Sequence, residues 1–302
     1  MAPLTPPLYA AIEGGGTKFV CAVGTGPNEV LRSVVVPTTS TQETFATCVR
    51  FLREAEQTCG KLDAIGFGCF GPIDLRIDAP THGHMLATPK PGWSRTDLLA
   101  PLRANFSAPI AIDTDVNGAS LAEWRLGAGR GLGSLAYVTV GTGIGGGVAP
   151  TDQSIRRLMH AEMGHIPVRR DPRDKHPGVC PFHGDCLEGL ASGPAIAARW
   201  GRRLDELPAD HEAWSIVGGY LGQLAASIAL MVSVERIVFG GGVMLNHALF
   251  SHVRAAARSF LNGYLEPLSD PHALDTYICA PQLGDRAGIS GAFLLAELAA
   301  RR

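Results

Sequence analysis

Charge of one sign is what this sequence most plainly lacks. It carries 26 basic against 28 acidic side chains, a formal net charge of −2. It therefore has no electrostatic footprint for a nucleic acid or an anionic membrane surface. Long hydrophobic runs are also missing. The longest apolar stretch, Leu224 to Val234, is too short to span a bilayer, and Glu235-Arg236 follow it. The start, MAPLTPPLYAAIEGGG, has no basic region and three early prolines, which excludes a secretory signal peptide. Cysteine is sparse and odd in number, at seven. Cys21, Cys69 and Cys279 lie in apolar, strand-like runs, where a free thiol behaves as a small hydrophobe. That excludes a disulfide framework and points to a reducing compartment, so a soluble cytoplasmic protein is expected. What is present is a 46% hydrophobic chain of 302 residues, enough for two domains or one large one.

The order of elements is legible. Leu8 to Ile12, Phe19 to Val23 and Val30 to Val36 read as strands, the first two joined by the turn Glu13-Gly-Gly-Gly-Thr-Lys18. Helical spacing of Phe45, Val49 and Leu52 predicts a helix over 41–59, with Gly60 as its stop. Strands follow at 64–70 and 109–112, the second ending in Asp113-Thr-Asp-Val-Asn117, and a helix is expected over 119–126. The second half repeats the grammar. A strand over 135–140 runs into Gly141-Thr-Gly-Ile-Gly-Gly-Gly147, and a strand over 236–239 runs into Gly240-Gly-Gly-Val-Met244. Ser192 and Pro194 open a helix reaching about Leu207, and further helices are expected over 211–234, 248–261 and 289–301. Two related α/β lobes with a cleft between them are expected, divided as 1–112 and 113–285, with the C-terminal helix 286–302 returning to the first lobe.

The stretch 160–188 interrupts this order. It holds His165, Cys180, His183 and Cys186, the last three as C-x-x-H-x-x-C, and two carboxylates, Glu162 and Glu188, bracket the set. Thiolate and imidazole suit zinc, and four such ligands make a closed, structural site. A Cys180–Cys186 disulfide is the rival reading, and the reducing composition weighs against it.

The glycine turns carry a second chemistry. Gly141, Gly143 and Gly146 satisfy G-x-G-x-x-G, but the dinucleotide fingerprint needs a helix directly after the turn. Val148-Ala149-Pro150 suits a hairpin instead, whose backbone N–H groups can cradle phosphate while Thr142 adds a hydroxyl. The turn Gly14 to Lys18 lacks the P-loop spacing and is followed by a strand, yet can face a phosphate through Thr17 or Lys18. Asp115, at a strand end, can take a proton from an attacking hydroxyl. Asp113 is its rival, and a plain turn-forming role is the other alternative.

Taken together, Glu13 to Lys18, Gly71-Pro-Ile-Asp74, Thr88-Pro-Lys-Pro-Gly-Trp93, Gly141 to Gly147, the Cys/His stretch, Gly240 to Met244 and Leu283-Gly-Asp-Arg-Ala-Gly288 resemble, in order and over nearly the whole chain, the ROK family of sugar kinases. The C-P-x-H-x-x-C pattern followed by Leu-Glu-Gly is similar to the bacterial ROK fructokinases. Where many members carry Asp, this chain has Glu13, and where many carry Asn before the catalytic Asp, it has Thr114.

The resemblance implies the actin-like ATPase (ribonuclease H-like) fold. It implies Asp115 as catalytic base, and Gly15, Gly16, Thr17, Lys18, Gly141, Thr142, Gly143 and Pro194 around the phosphates. Gly240, Gly241, Gly242, Val243 and Met244 would line the adenosine site. Asn117, Glu162, His165 and Glu188 would face the sugar, and His165, Cys180, His183 and Cys186 would hold zinc. ATP with magnesium and a hexose, most simply D-fructose at its 6-hydroxyl, would be the substrates of a homodimer. Other hexoses (mannose, glucose, N-acetylmannosamine) are the near alternatives, and a sugar-responsive regulator without catalysis is the distant one. Chelation is expected to weaken sugar binding more than ATP binding.

Overall fold

The computed structural model describes residues 6–150, 158–270 and 272–301. Residues 1–5, where the segment read above for a leader begins, lie outside them. In chain order the elements are β1 (Tyr9–Gly14), β2 (Lys18–Gly26), β3 (Glu29–Pro37), α1 (Thr41–Cys59), β4 (Ala64–Cys69), α2 (Ala100–Arg103), β5 (Ile110–Thr114) and α3 (Asp115–Leu126). β6 (Leu135–Val140), β7 (Ile144–Ala149), α4 (Leu187–Ala191), α5 (Gly193–Trp200), α6 (Glu212–Met231) and β8 (Ile237–Gly240) follow. The chain closes with α7 (Ala248–Leu261), α8 (Ala273–Tyr277), β9 (Ile278–Cys279) and α9 (Ala287–Ala300).

Contacts divide the chain into two compact units. Among the described residues, one comprises 6–122, 158–160 and 285–301, the other 123–150, 161–270 and 272–284. Residues 113–122 thus group with the first unit rather than starting the second, because β5 pairs with β4 and Gly118 packs on Gly291 of α9.

The first unit holds a sheet of order β3-β2-β1-β4-β5. β1 and β2 are antiparallel, while β1, β4 and β5 run parallel. Strand alternation splits β1 cleanly. Ala10 and Ile12 join the core with Phe45, Cys48 and Leu52 of α1, whereas Tyr9 and Ala11 meet Ala292, Phe293 and Ala296 of α9. The α9 face of the sheet is built of small residues. A side chain at Gly66 would collide with the backbone of Ala292 and Ala296, so the helix seats directly on the sheet. α1 starts where Ser40 accepts from the Glu43 N–H and ends at Gly60, at φ 110°.

The second unit has the order β7-β6-β8-β9, again an antiparallel hairpin followed by parallel strands. Its core lies against α6 and α7. α6 is long and apolar enough to cross a membrane by length and composition, but its apolar window is 67% buried, as befits a core helix.

Three sequence expectations are corrected. The glycine turn is only Gly141–Gly143, since Gly145, Gly146 and Gly147 pair with β6 inside β7. Gly146 is small for packing, since a side chain there would strike Met163, and one at Gly164 would strike Ile144 on the same strand. The helix opened by Pro194 stops at Trp200, because Gly201 adopts φ 70° and caps it. β5 ends at Thr114, so Asp115 opens a helix instead of closing a strand.

Candidate active site and metal centre

In the first unit, parallel register gathers acidic groups from distant positions. Glu13 on β1 lies opposite Gly68 on β4, which lies opposite Asp113 on β5. Gly68 adds no side chain to this row, and the space over it opens onto Asp115, whose Cα would be 3.6 Å from a β-carbon placed there. Asp113 is occupied: its Oδ1 accepts from the Thr114 N–H at 2.8 Å and from the Asn117 amide at 2.6 Å. That holds Asn117 in place and separates Asp113 from its rival. Asp115 accepts from the Val116 N–H at 2.9 Å through Oδ1. Desolvation pushes its carboxyl up to about 6. Glu13 is pushed up to about 7, first by burial and then by the like charge of Asp115, against the lowering pull of Lys18. Gly288 leaves room for the Glu13 carboxyl at the start of α9.

The adjoining turn is tied down on one side and open on the other. The Gly15 N–H donates to Lys18 at 2.9 Å, and the Thr38 hydroxyl donates to the Gly15 carbonyl at 2.7 Å. Gly16, Thr17 and Lys18 are exposed, and nothing lies within 4 Å of a β-carbon placed on Gly16.

In the second unit three glycine segments converge. The Gly193 N–H donates to the Gly141 carbonyl at 2.8 Å, which sets Pro194 and the start of α5 beside the Gly141–Gly143 turn. Thr142 is exposed at its tip. A β-carbon on Gly141 would lie 4.0 Å from the Gly242 N, and one on Gly193 would lie 3.8 Å from Val243. Gly240 packs on Tyr137, and Met244 is buried in the core beneath the turn. Gly241 adopts φ 90°, and a side chain there would collide with the Val140 backbone. Beside Gly242, by contrast, nothing lies within 4 Å. We expect Gly242→Ala to fold with an unchanged Tm, since the added methyl meets open space. Gly241→Ala should cost about 1–3 kcal/mol in stability from backbone strain alone. Thermal melts of both variants check the contrast.

The four metal-type residues meet as their spacing suggested. One ligand atom from each of His165, Cys180, His183 and Cys186 lies within 4.8 Å of the others. The Cys180 sulfur is 3.7 Å from Nδ1 of both His165 and His183, and the Cys186 sulfur is 3.6 Å from Nδ1 of His165. Tetrahedral zinc, with ligand bonds of about 2.3 Å to sulfur and 2.0–2.1 Å to nitrogen, sets sulfur and nitrogen about 3.6 Å apart. The donor set and its spacing therefore fit that ion. Cys180 and Gly184 exchange backbone hydrogen bonds around a knuckle in which Gly184 adopts φ 66°. Glu162 precedes the short turn that carries His165, and its carbonyl accepts the His165 N–H at 3.0 Å. Glu188, in the first turn of α4, accepts from the Ile144 N–H at 2.9 Å through Oε2.

Some supports gave no sequence signal. Arg170 bonds to Asp185, 3.1 Å away, and to the carbonyls of Asp174 and His176, so it joins both limbs of the metal loop. Asp174 is buried and accepts from the Tyr220 hydroxyl at 2.6 Å, with Arg199 2.9 Å away. In the first unit, the ring of His160 accepts the Ile73 N–H at 3.0 Å.

Two α/β units of like topology, each with a glycine turn in its leading hairpin, and one with a desolvated Asp at a helix start, define a nucleotide-dependent phosphotransferase of the actin-like ATPase class. The ROK family profile matches residues 9–299. A fructokinase of Zymomonas mobilis is 43% identical over 293 residues, covering 96% of this chain and 96% of that protein. The crystal structure of a ROK hexokinase from Thermus thermophilus is 28% identical with a TM-score of 0.77, covering 96% of this chain and 98% of that one. A ROK glucokinase from Streptomyces griseus, solved in complex with glucose and AMPPNP, is 25% identical with a TM-score of 0.71, covering 96% and 99%. The chain belongs to the ROK family.

Proposed function

We infer that this protein is an ATP-dependent fructokinase that moves the γ-phosphoryl group to the 6-hydroxyl of D-fructose. The observation that carries this reading is the 43% identity to a fructokinase across nearly the full length of both chains. The residues have matching roles. Phosphoryl transfer asks a protein chiefly for alignment and charge stabilisation. Asp115 takes the proton of the attacking hydroxyl, and Asn117, held by Asp113, orients the sugar beside it. The turns Gly141–Gly143 and Gly15–Lys18 hold phosphates through the parts they leave open, Thr142 and Gly16–Lys18, with Pro194 beside the first, and Gly241–Val243 face the rest of the nucleotide. Magnesium, brought with ATP and keeping several of its waters, would neutralise phosphate charge. Zinc on His165, Cys180, His183 and Cys186 would fix the loop that presents Glu162 and Glu188 to the sugar. His165 would bind it through Nδ1, the nitrogen that faces both sulfurs. On the family pattern, the enzyme is a cytoplasmic homodimer.

A coupled ADP-release assay across fructose, glucose, mannose and N-acetylmannosamine tests the reading. Fructose should give the highest kcat/KM, and absence of turnover on all four with magnesium and zinc present refutes it. The rate should also depend on pH with a definite sign. A base must be deprotonated to act, and the Asp115 and Glu13 carboxyls are raised to about 6 and about 7. Hence kcat/KM should climb between pH 5 and 8, with its midpoint about 6–7 rather than the ordinary carboxylate value of about 4. A profile already flat at pH 5 would contradict it.

A further inference from the structure

Glu188 stands in two structures at once. Its residue follows the metal ligand Cys186 by two positions and lies in the first turn of α4. Its Oε2 reaches across 44 residues to accept the Ile144 N–H at 2.9 Å. A β-carbon on Gly143 would lie 2.7 Å from the same oxygen, so the carboxylate rests directly against the Gly141–Gly143 turn. The next link is also in α4: the Ser192 N–H donates to the Glu188 carbonyl at 3.1 Å, and the Gly193 N–H then donates to the Gly141 carbonyl at 2.8 Å. One edge of the turn is therefore fastened to α4 through Glu188 and the other to the first residue of α5, which Ser192 joins to α4.

That helix is in turn held by the metal loop. Cys186 is its capping residue and bridges to Pro167, close to His165. The Leu187 N–H donates to Ile166 at 3.0 Å, and the Val179 N–H donates to Gly189 at 3.0 Å, beside Cys180. A β-carbon on Gly189 would strike the Gly184 carbonyl of the knuckle, so α4 and the knuckle are in direct backbone contact. Five residues of helix cannot hold their own position in water. Their placement depends on these attachments and on the burial of Leu187, Leu190 and Ala191 in the core of the second unit.

We propose that Glu188 is a positioning residue that couples occupancy of the Cys/His metal site to binding of the nucleotide phosphates, by holding the Gly141–Gly143 turn through the Ile144 N–H. The proposal rests on the reading of that turn as a phosphate cradle. It reaches past the expectation that metal loss weakens mainly the sugar, because the same loop also carries the turn.

The test is MgADP binding in the absence of sugar, by calorimetry, on wild type, Glu188→Ala and Glu188→Gln, each as purified and after zinc removal verified by metal analysis. Working without sugar removes any direct sugar contact of Glu188 from the readout. Glu188→Gln keeps an oxygen for the Ile144 N–H and should bind MgADP within about threefold of wild type. Glu188→Ala leaves that N–H without its acceptor and should bind about tenfold more weakly, the scale of one charge-assisted hydrogen bond. Zinc removal should weaken wild type by a similar factor and Glu188→Ala by less than about twofold, because the connection is already cut. The coupling is overturned if zinc removal weakens both proteins equally, or if Glu188→Ala binds as wild type does. Purified protein without metal, combined with a difference between Ala and Gln, would leave Glu188 a support for the turn and overturn the link to the metal. Failure of wild type to bind MgADP at all would instead refute the phosphate-cradle reading.

Discussion

Asp115→Asn should lower kcat by about 10²–10⁴-fold, the usual contribution of a positioned general base, while the sugar Kd changes little. In barrier height this is about 3–5 kcal/mol. The expectation rests on where the residue sits. The amide is nearly isosteric with the carboxyl, and its oxygen can still accept from the Val116 N–H as Oδ1 does at 2.9 Å. The start of α3 should therefore survive, and so should Asn117, whose amide is held by Asp113 and not by Asp115. What the substitution removes is a group able to accept a proton, in a setting where desolvation has raised its basicity. It also removes a negative charge beside Glu13, so the Glu13 carboxyl should move back toward its ordinary value. Single-turnover kinetics and sugar titrations separate the two effects. Turnover within tenfold of wild type would exclude Asp115 as the base, and a parallel collapse of sugar affinity would mark it as structural.

The second large effect is expected at the metal. His183 is the exposed member of the four ligands, whereas Cys180 and Cys186 are buried. His183→Ala therefore makes no core cavity, and what it changes reports the metal rather than packing. Zinc bound by a closed four-ligand site supplies folding free energy to the segment that carries it, about 10–16 kcal/mol in small zinc domains. With three ligands the site opens to water. We expect the purified variant to hold less than about a tenth of the wild-type metal after mild chelation, and its sugar affinity to fall about tenfold or more. The unit as a whole should stay folded, since its core is built mainly on α6 and α7, to which Leu187, Leu190 and Ala191 of α4 add only one edge. Metal analysis, sugar titration and circular dichroism check the three parts. Full metal content in the variant would remove His183 from the ligand set. Global unfolding would mean that the loop supports far more than its own contacts suggest.

Arg170 and Asp174 temper this second expectation in a specific way. Arg170 joins Asp185 to the 174–176 limb, and the buried Asp174 is fixed by Tyr220 and Arg199. These bonds hold the base of the loop whether or not a metal is bound. Metal loss should therefore loosen the end that carries His165 and Cys186 and leave the base, and the core side chains of α4, in place. Arg173 adds a further ion pair on this loop, 2.7 Å from Asp171.

The sequence by itself determined what depends on local spacing. The extent of α1 was legible from the spacing of Phe45, Val49 and Leu52 and from Gly60, and the ligand cluster from C-x-x-H-x-x-C, because residues a few positions apart are bound to stay close. The glycine turns were legible as turns, and the order of motifs was enough to reach the ROK family. Only the tertiary structure decided which of those features meet. Glu13 and Asp115 are about a hundred positions apart, and parallel register through Gly68 brings them into one electrostatic field. No periodicity encodes that, since the pairing of parallel strands is set by what packs on both faces of the sheet. The same holds for Glu188 and Ile144, and for Gly146 of β7, which reads as part of a phosphate loop but is small so that Met163 can lie on the strand. Composition selects the residues able to do the chemistry, and long-range packing selects which of them share a site.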